Sequence, residues 1–332
     1  MARPMRIRQW AAVSAALTVG VLAPRTAHAQ RADGSFQRTV TVAASADVDV
    51  VTGAGSIEVR QGAAGRVDIS GRITADDRWG WRHSPLNAQE RVRRLETNPP
   101  VEQTGNTVRI GHISQEELRD GVTISYVVTV PPGASLRTNT GSGSQEIDVD
   151  GSVEAHSGSG SLRIKRAGGV RAATGSGAVT GDVITGAFHA TTGSGSIHVA
   201  SVGGAITAKT GSGAIEITQT GRGDVNVSSG SGTVRVRGVH GGVDASTSSG
   251  GLQIQGEMAA DWRLSASSGP VTVDLPHGQR FDLDAGSSSG HIDVGFPMTV
   301  QGRIDRRSIR GAVDGGGPLL RVRTSSGGIS IH

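Results

Sequence analysis

One glycine returns about every eighteen residues through the second half of this chain, and no other feature limits its fold as strongly. The marker positions are Gly143, Gly160, Gly177, Gly195, Gly213, Gly232, Gly250, Gly269, Gly290, Gly311 and Gly327, ten intervals with a mean of 18.4 residues. Most lie in T-G-S-G or S-S-G, as in Thr174-Gly175-Ser176-Gly177 and Ser248-Ser249-Gly250. These are turn residues, with Gly able to take positive φ and Ser or Thr able to bond nearby backbone. The 51 Gly, 36 Ser and 11 Pro make 98 of 332 residues, a share that without a period would indicate disorder. The period points instead to a repeat architecture.

Counting outward from each marker exposes four apolar columns. Two residues after it stand Leu162, Val179, Ile197, Ile215, Val234, Leu252, Val271, Ile292, Val313 and Ile329, and four after it mostly Ile164, Val199, Ile217, Val236, Ile254, Val273, Val294 and Ile331. That alternation is a strand. Seven before it stand Leu136, Val153, Val170, Phe188, Ile206, Val225, Val243, Trp262, Leu283, Ile304 and Leu320, and five before it mainly alanines such as Ala155, Ala172, Ala190, Ala208, Ala245 and Ala285, a second strand. Like columns superpose only when coils stack in register, so the expected fold is all-β, a parallel β-solenoid with about 18 residues and two short strands per coil. A lone coil buries too few side chains to offset its own ordering, so stability must come from bonds between coils and the continuous core. Eleven coils at about 4.8 Å predict a rod about 50 Å long.

The amino-terminal part shows the same pattern once, with Val48 and Val50 before Thr52-Gly53-Ala54-Gly55 and Ile57 and Val59 after it. Between Arg72 and Asp120 the pattern stops, and Ser84-Pro85 followed by Ala88, Val92 and Leu95 predicts a capped short helix with one apolar face. Val108 with Ile110, and Ile124, Tyr126, Val128 and Val130, predict strands ending at Pro131-Pro132-Gly133. The expected organisation is residues 1–29 as a targeting segment, 30–71 as first strands and first coil, 72–133 as an inserted helix-containing cap, and 134–332 as regular repeats.

Met1 to Gln9 is cationic, Trp10 to Ala23 is apolar, and Ala27-His28-Ala29 offers small residues where a signal peptidase cuts, the pattern of a Sec signal. The apolar run is short for a membrane span, which needs about 20 residues. Lys and Arg number 33 against 29 Asp and Glu, but Arg3, Arg6, Arg8 and Arg25 all precede residue 30, so the mature chain carries no net charge. That removes the global basic field a nucleic-acid partner would need. With no Cys, neither a disulfide nor a lipid-anchored cysteine is available. The expected destination is periplasm, cell surface or medium.

The Gly55 to Val59 run G-S-I-E-V, the reiterated T-G-S-G-[SA]-I-x-[IV] and the V-P-P-G of Val130 to Gly133 resemble a bacterial exported β-strand-repeat family of unknown function, often labelled a candidate adhesin. The resemblance covers roughly residues 36 to 332 and implies a right-handed β-helix and an envelope location. It brings no active-site residues, and adhesion enters only as a label.

Several chemistries are weighed against the spacing. A calcium β-roll needs Asp two residues after the glycine, where ten of eleven repeats have an aliphatic residue and the first has Gln145. His156, His189, His198, His240 and His291 fall in unrelated phases, so no zinc-ligand pair emerges. Gly-Ser-Gly recurs in successive turns without the strand-turn-helix setting of a hydrolase elbow, or the Lys and helix of a phosphate loop. No catalytic, cofactor-binding or metal residue is expected.

One cluster stands out. Asp261 with Asp282, Asp284 with Asp305, and Asp293 with Asp314 share columns in the last coils. Stacked carboxylates about 5 Å apart would suit a retaining glycosidase. Arg263, Arg303, Arg306 and Arg307 interleave, so a charge-balanced solvated face explains the same residues. The leading reading is therefore an exported, non-enzymatic, adhesin-like protein whose partners are glycans, envelope components or its own copies; the alternatives are a carbohydrate-active enzyme using the acidic coils and a periplasmic scaffold or signalling module. Self-association has one candidate route, the final strand, Gly328 to Ile331, which ends the chain without a cap and would expose an edge, unless Arg321, Arg323 and the loop around Gly315 to Pro318 fold over it or its short length protects it.

Overall fold

The computed structural model describes residues 31–43, 45–77, 85–300 and 307–332. Their strands join into one mostly parallel sheet that winds around a single continuous core. Like columns stack in register: Leu136, Val153, Val170, Phe188, Ile206, Val225, Val243 and Trp262 are successive neighbours. The same holds for Leu162, Val179, Ile197, Ile215, Val234, Leu252 and Val271. All of these are buried. A further buried column, Ala167, Ile184, Val202 and Gln219, closes the coil beyond a bend in the strand that follows the marker. Its spacing from the marker slips by a residue at Gln219, which is also polar, so simple counting misses it.

Gln145, the one polar residue two after a marker, is buried all the same. Its amide bonds the Thr138 hydroxyl at 2.5 Å and the His156 carbonyl at 2.6 Å. The polar pair substitutes for an aliphatic pair in that coil because both ends of the amide are satisfied.

The marker glycines serve close approach rather than backbone conformation. None of them has positive φ. A Cβ on Gly195 would lie 1.9 Å from the Gly177 carbonyl oxygen, and one on Gly213 2.0 Å from that of Gly195. Three residues before most markers sits a buried hydroxyl that joins two coils; Ala266 before Gly269 and the exposed Ser308 before Gly311 are the exceptions. Thr192 accepts from the Gly195 N–H at 3.0 Å and donates to the Gly177 carbonyl at 3.0 Å. Thr174, Thr210, Ser229 and Thr247 repeat both bonds. The glycine column and the hydroxyl column are thus one device: without a Cβ, each turn settles onto the last closely enough for the hydroxyl to bridge them.

The ends of the stack do not follow chain order. Leu319–Thr324 lies between Leu252–Ala266 and Phe281–Ser287, and Ile329–Ile331 pairs with both Val271–Asp274 and Ile292–Val294. The hydroxyl ladder follows the same order, Thr324 donating to Gly269 and Ser287 to Gly327. The final strand is therefore internal, which corrects the expectation of an exposed edge at Ile329 and Ile331: both flanks are hydrogen-bonded, because the last coil inserts beneath the coil that precedes it in sequence. Gly311 does not mark a parallel coil either. Ser308–Val313 runs antiparallel between Phe281–Ser287 and Met298–Val300, and Asp314, Gly315 and Gly316, all with positive φ, reverse the chain towards Leu319. Ile304 lies outside the described residues.

At the other end, Thr107–Ile110 and Val122–Val130 add parallel strands outside Asp47–Thr52 and Ile57–Gln61. Arg66–Asp76 and Arg31–Thr41 continue that side antiparallel. The helix Ala88–Thr97 packs its buried Ala88, Val92 and Leu95 against these strands. Its cap is Asn87, whose side chain accepts from the Glu90 N–H at 2.8 Å; Ser84 lies outside the described residues.

Gly213→Ala forces the stacked turns apart and should cost about 3 kcal/mol or more, whereas Gly53→Ala, with nothing within 4 Å of the added carbon, should stay within about 0.5 kcal/mol. Thr210→Val, which strips a partner from Gly213 and from Gly195, should lie between them at about 1–3 kcal/mol. Denaturant titration of the three variants checks the order, and equal losses at Gly53 and Gly213 would contradict it.

Candidate functional site

Outward positions of the strands are polar and largely ion-paired along the stack. Glu146 meets Lys165 at 2.5 Å, Arg163 meets Asp182 at 3.6 Å, and Glu216 meets Arg237 at 3.1 Å and Arg235 at 3.5 Å. The Lys165 ammonium, bonded to Glu146, holds that carboxyl below its ordinary range. Glu154 is lowered likewise by bonds from His156 and Arg137. Exposed pairs like these are each worth little, about 0–1 kcal/mol, but together they neutralise the face. Burial first, then the nearby Arg171 and Lys209 charges, lower the His189 pKa.

The acidic cluster is not a ladder. Because the last coil inserts between them, Asp261 and Asp282 flank Leu319–Thr324 rather than each other. Asp261 accepts from the Leu319 N–H at 2.8 Å. Asp293 neighbours Ser330, and Asp314 sits in the reversing turn, so that pair is not stacked. Asp305, with Arg303 and Arg306, lies outside the described residues.

Asp284 is the centre of what remains. It faces Arg321 on one side and Arg310 on the other. Arg323 reaches it at 2.6 Å, Arg310 at 3.0 Å and Arg321 at 3.5 Å. Burial works against its ionisation, yet hydrogen bonds from Arg323 and Arg310 outweigh it and keep the carboxyl below the ordinary aspartate range. An aspartate so held is a fastener between the returning hairpin and the last coil, not a free general acid.

Nearby, an open groove of about 580 Å³ is lined by Asp224, Asp244, Asp261, Trp262, Arg263 and Arg321 among others. Its carboxylates are engaged as well: Asp224 accepts from the Gly242 N–H at 2.9 Å and Asp244 pairs with Arg263 at 3.5 Å. Among the described residues no three His, Asp or Glu side chains converge as metal ligands. His112, His156, His198 and His240 each pair with a single carboxylate, Asp49, Glu154, Glu216 and Glu257.

A family model spans residues 100–332 of this stack. The chain belongs to the Toastrack DUF4097 family. In this Toastrack chain Asp47–Thr52 and Ile57–Gln61, which precede the match, are strands of the same sheet. Similar solved structures include the following three. A candidate adhesin from Parabacteroides distasonis shares 12% identity over 73% of this chain and 97% of its own, with a TM-score of 0.47. A candidate adhesin from Bacteroides fragilis shares 12% over 90% and 97%, at 0.29, and a candidate cell adhesion protein from Clostridium sporogenes 10% over 90% and 99%, at 0.21. No property of this chain follows from similarities that loose. No curated protein matches the sequence.

Because its pKa is depressed, Asp284 contributes stability above the unfolded aspartate value, about 3.9, and loses it as pH falls through the lower folded value. Asp284→Asn should therefore cost about 1–3 kcal/mol at pH 7, with the gap to the unaltered chain narrowing below about pH 3.9. Denaturant titrations at both pH values test this; a gap of the same size in acid would contradict the arginine clamp.

Proposed function

We propose that this Toastrack chain is an exported, non-enzymatic interaction protein of the cell envelope, adhesin-like in role. In this reading it is a right-handed solenoid rod with coils of about 18 residues, whose polar faces meet extended partners such as glycans or envelope polymers. The observation that carries the reading is the state of the acidic coils. Of the carboxylates a polysaccharide-cleaving enzyme would use, Asp261 and Asp282 are separated by an inserted strand, Asp261 is bonded to backbone, Asp284 is clamped by arginines, and Asp293 stands beside Ser330 rather than Asp314. The long in-register outer columns, by contrast, present a regular polar surface from coil to coil. Export rests on the cationic, apolar and Ala-x-Ala pattern of residues 1–29, which lie outside the described residues. Among the described residues no helix is long and apolar enough to cross a membrane.

Expressed in a bacterium, the chain should be recovered outside the cytoplasm beginning at Gln30, as intact mass and N-terminal sequencing would show. The purified mature chain should then bind one or more members of an immobilised polysaccharide panel without releasing reducing ends. Full-length protein confined to the cytoplasm would contradict export. Reducing-end release that Asp293→Asn abolishes would favour the enzyme instead.

A further inference from the structure

Outward residues of the strand that precedes each marker form a row along the stack, and toward both ends of it arginines meet carboxylates. Arg137 pairs with Glu154 at 3.2 Å and Arg263 with Asp244 at 3.5 Å, while Arg310 and Arg321 reach Asp284 at 3.0 and 3.5 Å. The middle of the stack differs. Gly169–Thr174, Phe188–Thr192 and Ile206–Thr210 are consecutive neighbours that contain no Asp or Glu, yet each carries one exposed basic side chain: Arg171, His189 and Lys209. Among the described residues none of the three has a carboxylate within ion-pair distance. Glu154, the acid in register with Arg171 on the preceding coil, is held by Arg137 and His156. On the other side, Asp224 accepts from the Gly242 N–H.

Arg171 is in register with His189, and Lys209 with Thr191, so the three basic groups run diagonally over three strands. Strands about 4.8 Å apart with a rise of about 3.3 Å per residue put the two outer groups about 12 Å apart, with His189 between them. Burial, then the charges of Arg171 and Lys209, lower the His189 pKa, as expected in a positive field that the chain itself does not neutralise. The side chains between them are short and at least partly exposed: Ala173, Ala187, Thr191, Ala205 and Thr207. Among the described residues the Thr191 and Thr207 hydroxyls have no protein partner, whereas those of Thr174, Thr192 and Thr210 are engaged in the ladder between coils.

We propose, resting on the glycan-binding reading above, that this patch receives an acidic glycan, a polysaccharide with carboxylates on its sugar residues. Arg171 and Lys209 take separate carboxylates, the guanidinium by its planar fork and the ammonium as a point charge, and Thr191 and Thr207 bond sugar hydroxyls. An extended chain laid along the diagonal meets only the basic groups. A planar anionic membrane would bring Glu154, Asp224 and Asp244 of the same face against its phosphates. A single-stranded nucleic acid would find no exposed ring to stack on, since Phe188 is the one aromatic residue of these strands and is buried.

Polygalacturonate and its fully methyl-esterified form, which keeps the sugar and loses the charge, are the probes, titrated calorimetrically into the mature protein at low ionic strength. Polygalacturonate should bind saturably and about tenfold or more tightly than the ester. Arg171→Gln with Lys209→Gln should weaken it about tenfold or more. Arg163→Gln with Lys165→Gln, the same change of charge on the face of Leu162–Ala167, should leave it within about twofold. Poly-glutamate and phosphatidylglycerol vesicles should bind more weakly than polygalacturonate, and thermal unfolding confirms that each variant is folded. The proposal is overturned if polygalacturonate does not bind saturably, if the ester, poly-glutamate or the vesicles bind as tightly, or if the two double variants bind it alike. Binding of neutral glycans alone would overturn this patch as the site and leave the glycan-binding reading standing, whereas binding of no glycan would overturn both.

Discussion

Everything in this stacked sheet depends on how closely one turn can sit on the next. The Gly213 carbon is held where an added Cβ would meet the Gly195 carbonyl oxygen at 2.0 Å, and Thr210 uses that proximity to bond both residues. The turn is thus bonded upward and downward by a side chain that is itself buried, which satisfies backbone groups the tight corner would otherwise leave orphaned. The aliphatic columns supply the hydrophobic driving force, but that force is not directional. The glycine and hydroxyl columns set the spacing and the register in which it acts.

The fold was legible in the sequence where its physics is periodic. Leu162, Val179 and Ile197 recur at near-constant distance from a glycine, and stacking follows because no other arrangement buries all of them. Two features escaped for different reasons. The hydroxyl column was visible as Ser and Thr in turns, but a local turn and a bridge between coils look alike in one dimension. The order of coils at the ends was invisible, because Leu320 matches the column of Trp262 and of Leu283 equally well. A repeat dictates that strands stack in register; it does not dictate which strand becomes whose neighbour.

That ambiguity decides how the acidic residues are read. Counted along the chain, Asp261 and Asp282 appear stacked, and a pair of carboxylates appears ready for chemistry. Placed in space, Leu319 comes between them, and Asp284 meets three arginines. The same insertion seals the last strand on both flanks, while Ser308–Val313 and Met298–Val300 add antiparallel strands beside Phe281–Ser287.

The cysteine-free sequence allows a direct measurement of coil order. Ser330 is in register with Thr272 on one side and Asp293 on the other. Cysteines at adjacent parallel positions lie about 4.8 Å apart, within disulfide reach, whereas positions two strands apart lie about 10 Å apart and beyond it. Oxidation of the folded double variants should therefore cross-link Thr272→Cys with Ser330→Cys, and Asp293→Cys with Ser330→Cys, but not Thr272→Cys with Asp293→Cys. Efficient cross-linking of that last pair, with none from Ser330→Cys to Thr272→Cys, would mean that the coils stack in chain order and would contradict the inserted final coil.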